Sequence, residues 1–458
     1  MIDACSTIVL AAGKGTRMKS RIPKVLHPLF NKELLWYVVN AVGSFSVEQV
    51  VVVGHEKDKV VDFLNRNHDN SVKTAYQENQ LGTGHAVMKA IEKVSDKIKT
   101  VLIVMGDTPL LDAEELRDFV KHHEEKGNAC TVLTAKLDNP YGYGRIIRDV
   151  SGNIQEIVEE KEASEDIKKI SEINTGIYCF DKEVLQTGLK KLNPSEITGE
   201  YYLTDIIKMI NYKGKNVGTM EVMDFRSVLG VNDRKDLAMA NKVLQERINN
   251  YHMENGVTIL DPENTFIDPE VKIGQDTIIY PGCFIQGDTV IGSECVLGAN
   301  TSIWDALLKD GVKVDRSRVN DSILESYVEV GPYANIRPGC KLMEKVKIGD
   351  FVEIKNSYIG EETKASHLSY IGDAVIGKKV NIGAGTVVVN YDGRQKYETV
   401  IKDGVFIGCN SSLIAPVTIK EEAFVAAGST ITHDVDEKNL AIARQRQVNK
   451  KDWAQRRE

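Results

Sequence analysis

The chain has 458 residues and a mass of 50.9 kDa, too long for one hydrophobic core and suited to two domains with a connector. Its 42% hydrophobic and 27% charged content is that of a globular protein. A net charge of -8 excludes the global basic field that recruits nucleic acid or an anionic membrane. The seven cysteines include no C-x-x-C pair, and the nine histidines no H-x-x-x-H or H-E-x-x-H spacing. Free thiols in a reducing, cytoplasmic compartment and no dedicated zinc site are therefore expected.

Met1 to Gly13 contains a short apolar run, but Asp3 stands where a signal peptide has a basic start, and the run leads into Lys14 and Arg17. It reads as a first strand, and no apolar segment approaches membrane-spanning length. Strands are expected at Ser6 to Ala11, Gln49 to Gly54, Val72 to Tyr76, Thr100 to Met105 and Ala129 to Lys136. Helical periodicity falls between them at Lys57 to Asn65, His85 to Val94 and Ala113 to Glu125. This alternation predicts a parallel sheet covered on both faces. Gly144 to Glu160 reads as a hairpin turning at Ser151, Gly152 and Asn153, and Ile173 to Phe180 as a further strand. The helix formers after Asp233, closed by Gly256, predict a connector helix over 235–255 between domains at 1–234 and 256–458.

Within the first domain, Leu10-Ala-Ala-Gly-Lys-Gly-Thr-Arg-Met18 follows a strand and is followed by Pro23-Lys24. A glycine turn at the end of a first strand exposes backbone N–H groups, and Lys14, Arg17 and Lys24 add positive charge around them. This suits a triphosphate. It is neither a Walker A loop nor the dinucleotide G-x-G-x-x-G pattern.

From Ile267 to Thr432 an aliphatic residue returns every sixth position: Ile273, Ile279, Ile285, Ile291, Leu297 and Ile303, then Val330 to Ile354, then Ile401 to Ile431. A strict six fits neither a helix nor a half-buried strand. It predicts a coil of very short strands, three hexapeptides to a turn, with the aliphatic residues stacked inward and small or glycine residues at the corners. An ordinary β-sandwich would space its apolar residues irregularly. The repeat pattern does not reveal handedness. The register is left at 388–396, a loop thrown out of the prism, and again between Ile354 and Ile376, where His367 lies. Arg337 and Lys355 are one coil apart and should stack, two cations suited to a sugar phosphate. His367 has the chemistry to take a proton from an attacking amine. After Thr432 the tail turns polar and charged and is expected on the surface.

The glycine loop resembles the signature of the sugar-phosphate nucleotidyltransferases. Further matches are Gln77, Leu81-Gly82-Thr83-Gly84, Met105-Gly106-Asp107, Tyr143-Gly144-Arg145, Glu159, Ile173-Asn174-Thr175-Gly176 and Gly230-Val231-Asn232. That resemblance implies a nucleotide and sugar site from Leu10, Ala11, Ala12, Gly13, Lys24, Gln77, Gly82, Thr83, Gly144, Glu159, Asn174 and Asn232. It also implies Mg²⁺ held by Asp107 and Asn232, with Arg17 and Lys24 as the catalytic cations.

Over its full length, the chain resembles the family of bifunctional N-acetylglucosamine-1-phosphate uridylyltransferases / glucosamine-1-phosphate N-acetyltransferases. The implied fold class is α/β plus all-β: a Rossmann-like nucleotidyltransferase domain, a linker helix and a left-handed parallel β-helix of hexapeptide repeats, assembled as a homotrimer. The implied substrates are glucosamine-1-phosphate, N-acetylglucosamine-1-phosphate, UTP and acetyl-CoA, and the product would serve peptidoglycan and other envelope precursors. Arg337, Lys355, Tyr370, Asn381, Asn390, Tyr391 and Lys396 would hold the amino-sugar phosphate, and His367 would be the general base, oriented by Glu353. Ala384, Cys409, Ala427 and Arg444 would line the acetyl-CoA groove. Cys409 departs from the family's usual serine, and a thiol is a poorer hydrogen-bond donor. Two competing readings are a single-activity nucleotidyltransferase with a structural or regulatory β-helix, and a scaffold subunit with a dead nucleotidyltransferase domain. His367 with the Asn390 loop argues against the first, and intact Arg17, Lys24, Asp107 and Asn232 against the second.

Overall fold

The computed structural model describes residues 5–68 and 72–453. Asp3, read above against a signal peptide, and the last five residues of the tail lie outside the described residues. The chain divides into two units, Met1–Leu244 and Gln245–Glu458.

In the first unit the strands are β1 (Cys5–Leu10), β2 (Glu48–Val53), β3 (Val72–Tyr76), β4 (Thr100–Met105) and β5 (Cys130–Lys136), then β6 (Gly144–Arg148), β7 (Ile154–Val158), β8 (Glu172–Asp181) and β9 (Val217–Glu221). The helices are α1 (Leu34–Gly43), α2 (Lys57–Asn67), α3 (Thr83–Ile91), α4 (Ala113–Lys126), α5 (Lys182–Leu189) and α6 (Asp205–Tyr212). The strand order is β9-β5-β8-β4-β1-β2-β3, with the β6–β7 hairpin carried on β8. The sheet is mixed, because β8 runs antiparallel to both β4 and β5 while β1 to β4 pair in parallel. The parallel pairing expected from the alternation of strands and helices holds for β1 to β4, whereas an apolar run carries no direction and left that of β8 open.

Both faces of the sheet are covered, as the continuous apolar strands require. Along β1, Ile8 and Leu10 join the cluster that includes Val87 and Ala90 of α3, Leu185 of α5 and Ile206 of α6. Val9 faces the other way, toward Val38 of α1, Phe63 of α2 and Phe119 of α4. The alternation of a strand thus splits one run between two cores.

The second unit is a parallel β-helix of three sheets, with eleven, ten and nine strands. Equivalent residues stack in register, as Ile279 on Leu297, Ile285 on Ile303 and Ile401 on Ile419. The inward aliphatics form one continuous core from Val257 to Val435. The corners differ from expectation: left-handed backbone is occupied by Asn300, Tyr333, Phe351, Asn356 and Asn410 as well as by glycine. Buried hydroxyls help to hold the corners, as where Thr363 donates to the Gly377 carbonyl at 2.7 Å.

The expected register break around His367 is also corrected. Ile354 stacks on Ile371, seventeen positions on rather than eighteen, and the ladder continues unbroken. A corner one residue shorter absorbs the difference. The loop after Val389 does leave the prism, and the chain returns to it at Thr399. Beyond Thr432 the coil continues, since Leu440–Ala441 adds a further strand to the eleven-stranded sheet before the exposed tail.

The connector helix α7 (Arg234–Glu254) is capped by Asp233, whose Oδ1 accepts from the N–H groups of Lys235 and Asp236 at 2.8 and 3.0 Å. The division between units falls inside it. Its later turns cover the first coil of the β-helix. Buried Gln245 and Asn249 donate to the carbonyls of Pro262 and Thr265, and Ile248 and Met253 pack on the core.

Candidate active sites

A cavity of about 680 Å³ opens at the carboxyl ends of β1 and β4, the usual ligand crevice of an open α/β sheet. Leu10, Ala11, Ala12, Gly13, Arg17, Lys24, Gln77, Gly82, Thr83, Asp107 and Glu159 all line it. Gly15 has φ +58° and a Cβ there would lie 2.6 Å from Lys24 Cβ, so glycine is what lets Lys24 approach the turn.

At the cavity floor Lys24 Nζ pairs with Asp107 Oδ2 and donates to Asn232 Oδ1 at 3.3 Å. Arg17 Nη2 donates to the same Asn232 oxygen at 2.9 Å. Asp107 and Asn232 therefore present oxygens to one shared cation position, which the Lys24 ammonium fills. Two oxygen donors with room for phosphate oxygens and water fit Mg²⁺, which rarely takes an all-protein cage. Among the described residues no group of three or more His, Cys, Asp or Glu could hold a metal ion.

Gln77 is buried, and its Nε2 donates to the Gly82 carbonyl and to His85 Nδ1, both at 3.1 Å. Its Oε1 is left as an acceptor. Burial pushes the Glu159 carboxyl above the usual range, against a hydrogen bond from Thr204 Oγ1 at 3.2 Å that lowers it. Gly144 and Asn174 lie beside Glu159 rather than on the cavity wall: a Cβ at Gly144 would meet both at 3.5 Å. The Asn174 amide is engaged by Tyr178 Oη at 2.7 Å and by the Gly176 N–H at 3.2 Å. Sequence reasoning missed Gln80, Tyr141, Gly142, Glu200 and Tyr202 on the wall. Only Tyr141-Gly142, directly before a matched motif, carried a signal.

On the β-helix, Arg337 and Lys355 stack as expected at the end of consecutive strands of the ten-stranded sheet. Lys396 of the loop is the largest cause of a lowered Lys355 pKa, as one ammonium disfavours another. Tyr370 lies in the next coil of that sheet. Its hydroxyl and Asn390 Nδ2 both close over Gly372, where a Cβ would lie 2.5 and 2.8 Å from them. Asp373, missed in the sequence, holds the loop base by accepting from Asn390 and from Asn356 Nδ2. Tyr391 bridges to Lys396 within the loop. Below the loop a cavity of about 410 Å³ is lined by Lys341, Tyr358, Asp373 and Lys396. Asn381 lies on the eleven-stranded sheet, so the fold does not bring it onto the face that carries Arg337 and Lys355.

His367 stands on a different corner. Its Nδ1 is 2.7 Å from Asp350 Oδ1, and the two residues are register partners in consecutive coils. Glu353, the expected orienting group, pairs instead with Arg337 Nη1 at 2.8 Å. The His367 hydrogen bond is the main reason the Asp350 carboxyl is held below its ordinary value. An ionised carboxylate only accepts, so Nδ1 carries the hydrogen, and in the neutral ring the lone pair is then on Nε2. A spacing of one short coil was the signal for Asp350.

The same corner column continues through Ala384, Cys409 and Ala427. The Asn410 N–H donates to the Ala384 carbonyl, the Gly428 N–H to that of Cys409, and Arg444 Nη1 to that of Ala427. Cys409 is the exposed thiol among the free cysteines. The four residues expected along the coenzyme groove thus run in one line from His367.

No helix of the described residues is long and apolar enough to cross a membrane. The Nucleotidyl transferase family model matches residues 6–226, and the Bacterial transferase hexapeptide (six repeats) model matches 270–303 and 398–433. A protein of Geobacillus sp. (strain WCH70) named Bifunctional protein GlmU is 49% identical over 450 residues, 98% of this chain and 97% of its own. Proteins of the same name from Carboxydothermus hydrogenoformans and Clostridioides difficile are 51% and 48% identical. These alignments cover 97% and 98% of this chain, and 99% and 97% of theirs.

Proposed function

The chain belongs to the family of bifunctional GlmU proteins, and from that premise we propose how its two sites make UDP-N-acetylglucosamine, a precursor of peptidoglycan and other envelope polymers. In the β-helix, glucosamine-1-phosphate is acetylated by acetyl-CoA. In the α/β unit, N-acetylglucosamine-1-phosphate then takes UMP from UTP and pyrophosphate leaves.

The observation that carries the nucleotidyl assignment is the meeting of Arg17, Lys24, Asp107 and Asn232 at the cavity floor. A phosphate oxygen of the sugar attacks the α-phosphorus in line, and the bond to the β-phosphate oxygen breaks. No protein nucleophile is needed, so positioning and charge supply the rate. Arg17, Lys24 and the N–H groups of the Leu10–Gly13 turn hold the phosphates, while Glu159 accepts from sugar hydroxyls. Mg²⁺, held by Asp107 and Asn232, would neutralise phosphate charge when bound.

In the second site, Arg337, Lys355 and Lys396 bind the sugar phosphate, supported by Tyr370, Asn390 and Tyr391. Asp350, accepting from His367 Nδ1, fixes the neutral imidazole in the tautomer whose Nε2 lone pair can take the amine proton. The amine nitrogen attacks the thioester carbonyl, the C–S bond breaks, and coenzyme A leaves as the thiol. Acetyl-CoA lies along Ala384, Cys409, Ala427 and Arg444. Asn381 and the His367 corner sit on other parts of the prism from Arg337, which favours a site completed by neighbouring copies in a homotrimer.

Incubation with glucosamine-1-phosphate, acetyl-CoA, UTP and Mg²⁺, with product masses read directly, tests the whole reading. The expected product is UDP-N-acetylglucosamine. Accumulation of UDP-glucosamine without acetylation would leave only the single-activity alternative.

A further inference from the structure

Asn232 lies in irregular backbone between a short 3-10 turn ending at Val228 and the start of α7, so no ladder holds its side chain in place. Separate contacts do so instead. The Val231 N–H donates to the Asp107 carbonyl at 2.8 Å, and Asn232 Nδ2 donates to the Gly230 carbonyl at 3.2 Å. Arg17 and Lys24 donate to the Asn232 side-chain oxygen, and a further tether, on the main chain, comes from the connector helix: Asp236 Oδ2 accepts from the Asn232 N–H at 2.9 Å.

That last bond is unusual for a helix start. In a capping box the side chain at the third helical position reaches back to the N–H of the capping residue. Here Asp233 is the cap, and it already accepts from Lys235 and Asp236. Asp236, at that third position, reaches one residue further, to the backbone of Asn232. The helix end is capped without this bond, so its consequence falls on Asn232.

We propose that Asp236 is a positioning residue for nucleotidyl transfer, fixing the Asn232 backbone so that Asn232 Oδ1 faces the cation position it shares with Asp107. The proposal rests on the reading of Asn232 as a metal ligand. With Nδ2 held by the Gly230 carbonyl, Oδ1 already turned toward Arg17 and Lys24, and the main chain held by Asp236, the amide presents its oxygen to that position.

The test compares Asp236→Ala, Asp236→Asn, Asp233→Ala and Asn232→Ala in the full chain. Two quantities are read: the Mg²⁺ concentration giving half-maximal uridylyl transfer, and Mn²⁺ affinity in the presence of UTP by water-proton relaxation. Loss of an outer-shell partner of this kind costs about 10- to 100-fold in metal affinity, and that weakening is expected for Asp236→Ala in both readouts. Asp236→Asn keeps an acceptor oxygen and should stay within about threefold of the parent, far from the loss set by a missing outer-shell group. Asp233→Ala removes the cap alone, so it should lower thermal stability without moving either metal readout.

Equal metal affinity in Asp236→Ala and Asp233→Ala would overturn the proposal and reduce Asp236 to a capping role. So would an Asp236→Asn variant as impaired as Asp236→Ala. If Asn232→Ala itself moved neither readout, the metal reading would fall and the proposal with it. That outcome is distinct from Asn232→Ala weakening the metal while Asp236→Ala does not.

Discussion

Asp350 and His367 meet at 2.7 Å across consecutive coils of the β-helix, although they stand seventeen positions apart in the chain. The pair depends on parallel stacking, because each side chain occupies the same corner of its own coil. Neither lies in the aliphatic core. His367→Ala is therefore expected to lower acetyl transfer by about 10²- to 10⁴-fold with the fold intact. Asp350→Asn should fall between that variant and the parent, because it frees the imidazole tautomer without removing it. Acetylation rates with unchanged circular dichroism check both, and a wild-type rate in His367→Ala would remove it as the base.

Asp107→Ala should abolish uridylyl transfer and leave acetyl transfer near normal. Asp107 belongs to the first unit, and the acetylation residues all belong to the second. Separate assays of the two half-reactions on one preparation decide it, and parallel loss of both would contradict the assignment.

UTP should be preferred over CTP. Gln77 Nε2 is already donating to Gly82 and His85, so Oε1 faces a ligand as an acceptor. Uracil offers an N3–H to it and cytosine does not. Competition between triphosphates, read by product mass, would show equal turnover if this assignment were wrong.

A fragment beginning at residue 245 should be more stable than one beginning at 256, by roughly 2–5 kcal/mol. The shorter fragment loses Gln245 and Asn249 from the first coil and exposes the apolar surface under Ile248 and Met253. We expect the longer fragment to acetylate glucosamine-1-phosphate as a homotrimer. Urea unfolding and light scattering measure the two claims, and a monomer would refute the intersubunit site.

Stability of the first unit should fall as pH drops from about 6.5 toward 4. Burial between α4 and β5 pushes His123 down to about 4, and its Nδ1 is 2.8 Å from Thr131 Oγ1. The unfolded chain binds the proton first, so the contribution is full above the unfolded value and is lost progressively below it. The loss approaches ~3 kcal/mol. His123→Gln should flatten this slope in denaturant titrations across the same pH window.

Much of this architecture was legible in residue order. The spacing of six specified a coil because only stacked short strands bury every sixth side chain. The glycine loop specified a phosphate cradle because its turn and its cations are local. The Asp233 cap and the Ser151–Asn153 turn were legible for the same reason: a few neighbouring residues determine them.

What the tertiary structure alone decided is direction and pairing. The reversal of β8 between β4 and β5 has no signature in an apolar run. The choice of Asp350 over Glu353 as the partner of His367 depends on which corner each occupies, and corners shorter by one residue shift that count. The gathering of Arg17, Lys24, Asp107 and Asn232 joins three distant stretches through the folded sheet. Periodicity along a chain records which face a side chain buries. It does not record which residue from another coil or strand will stand opposite, because that depends on register and closure of the whole fold.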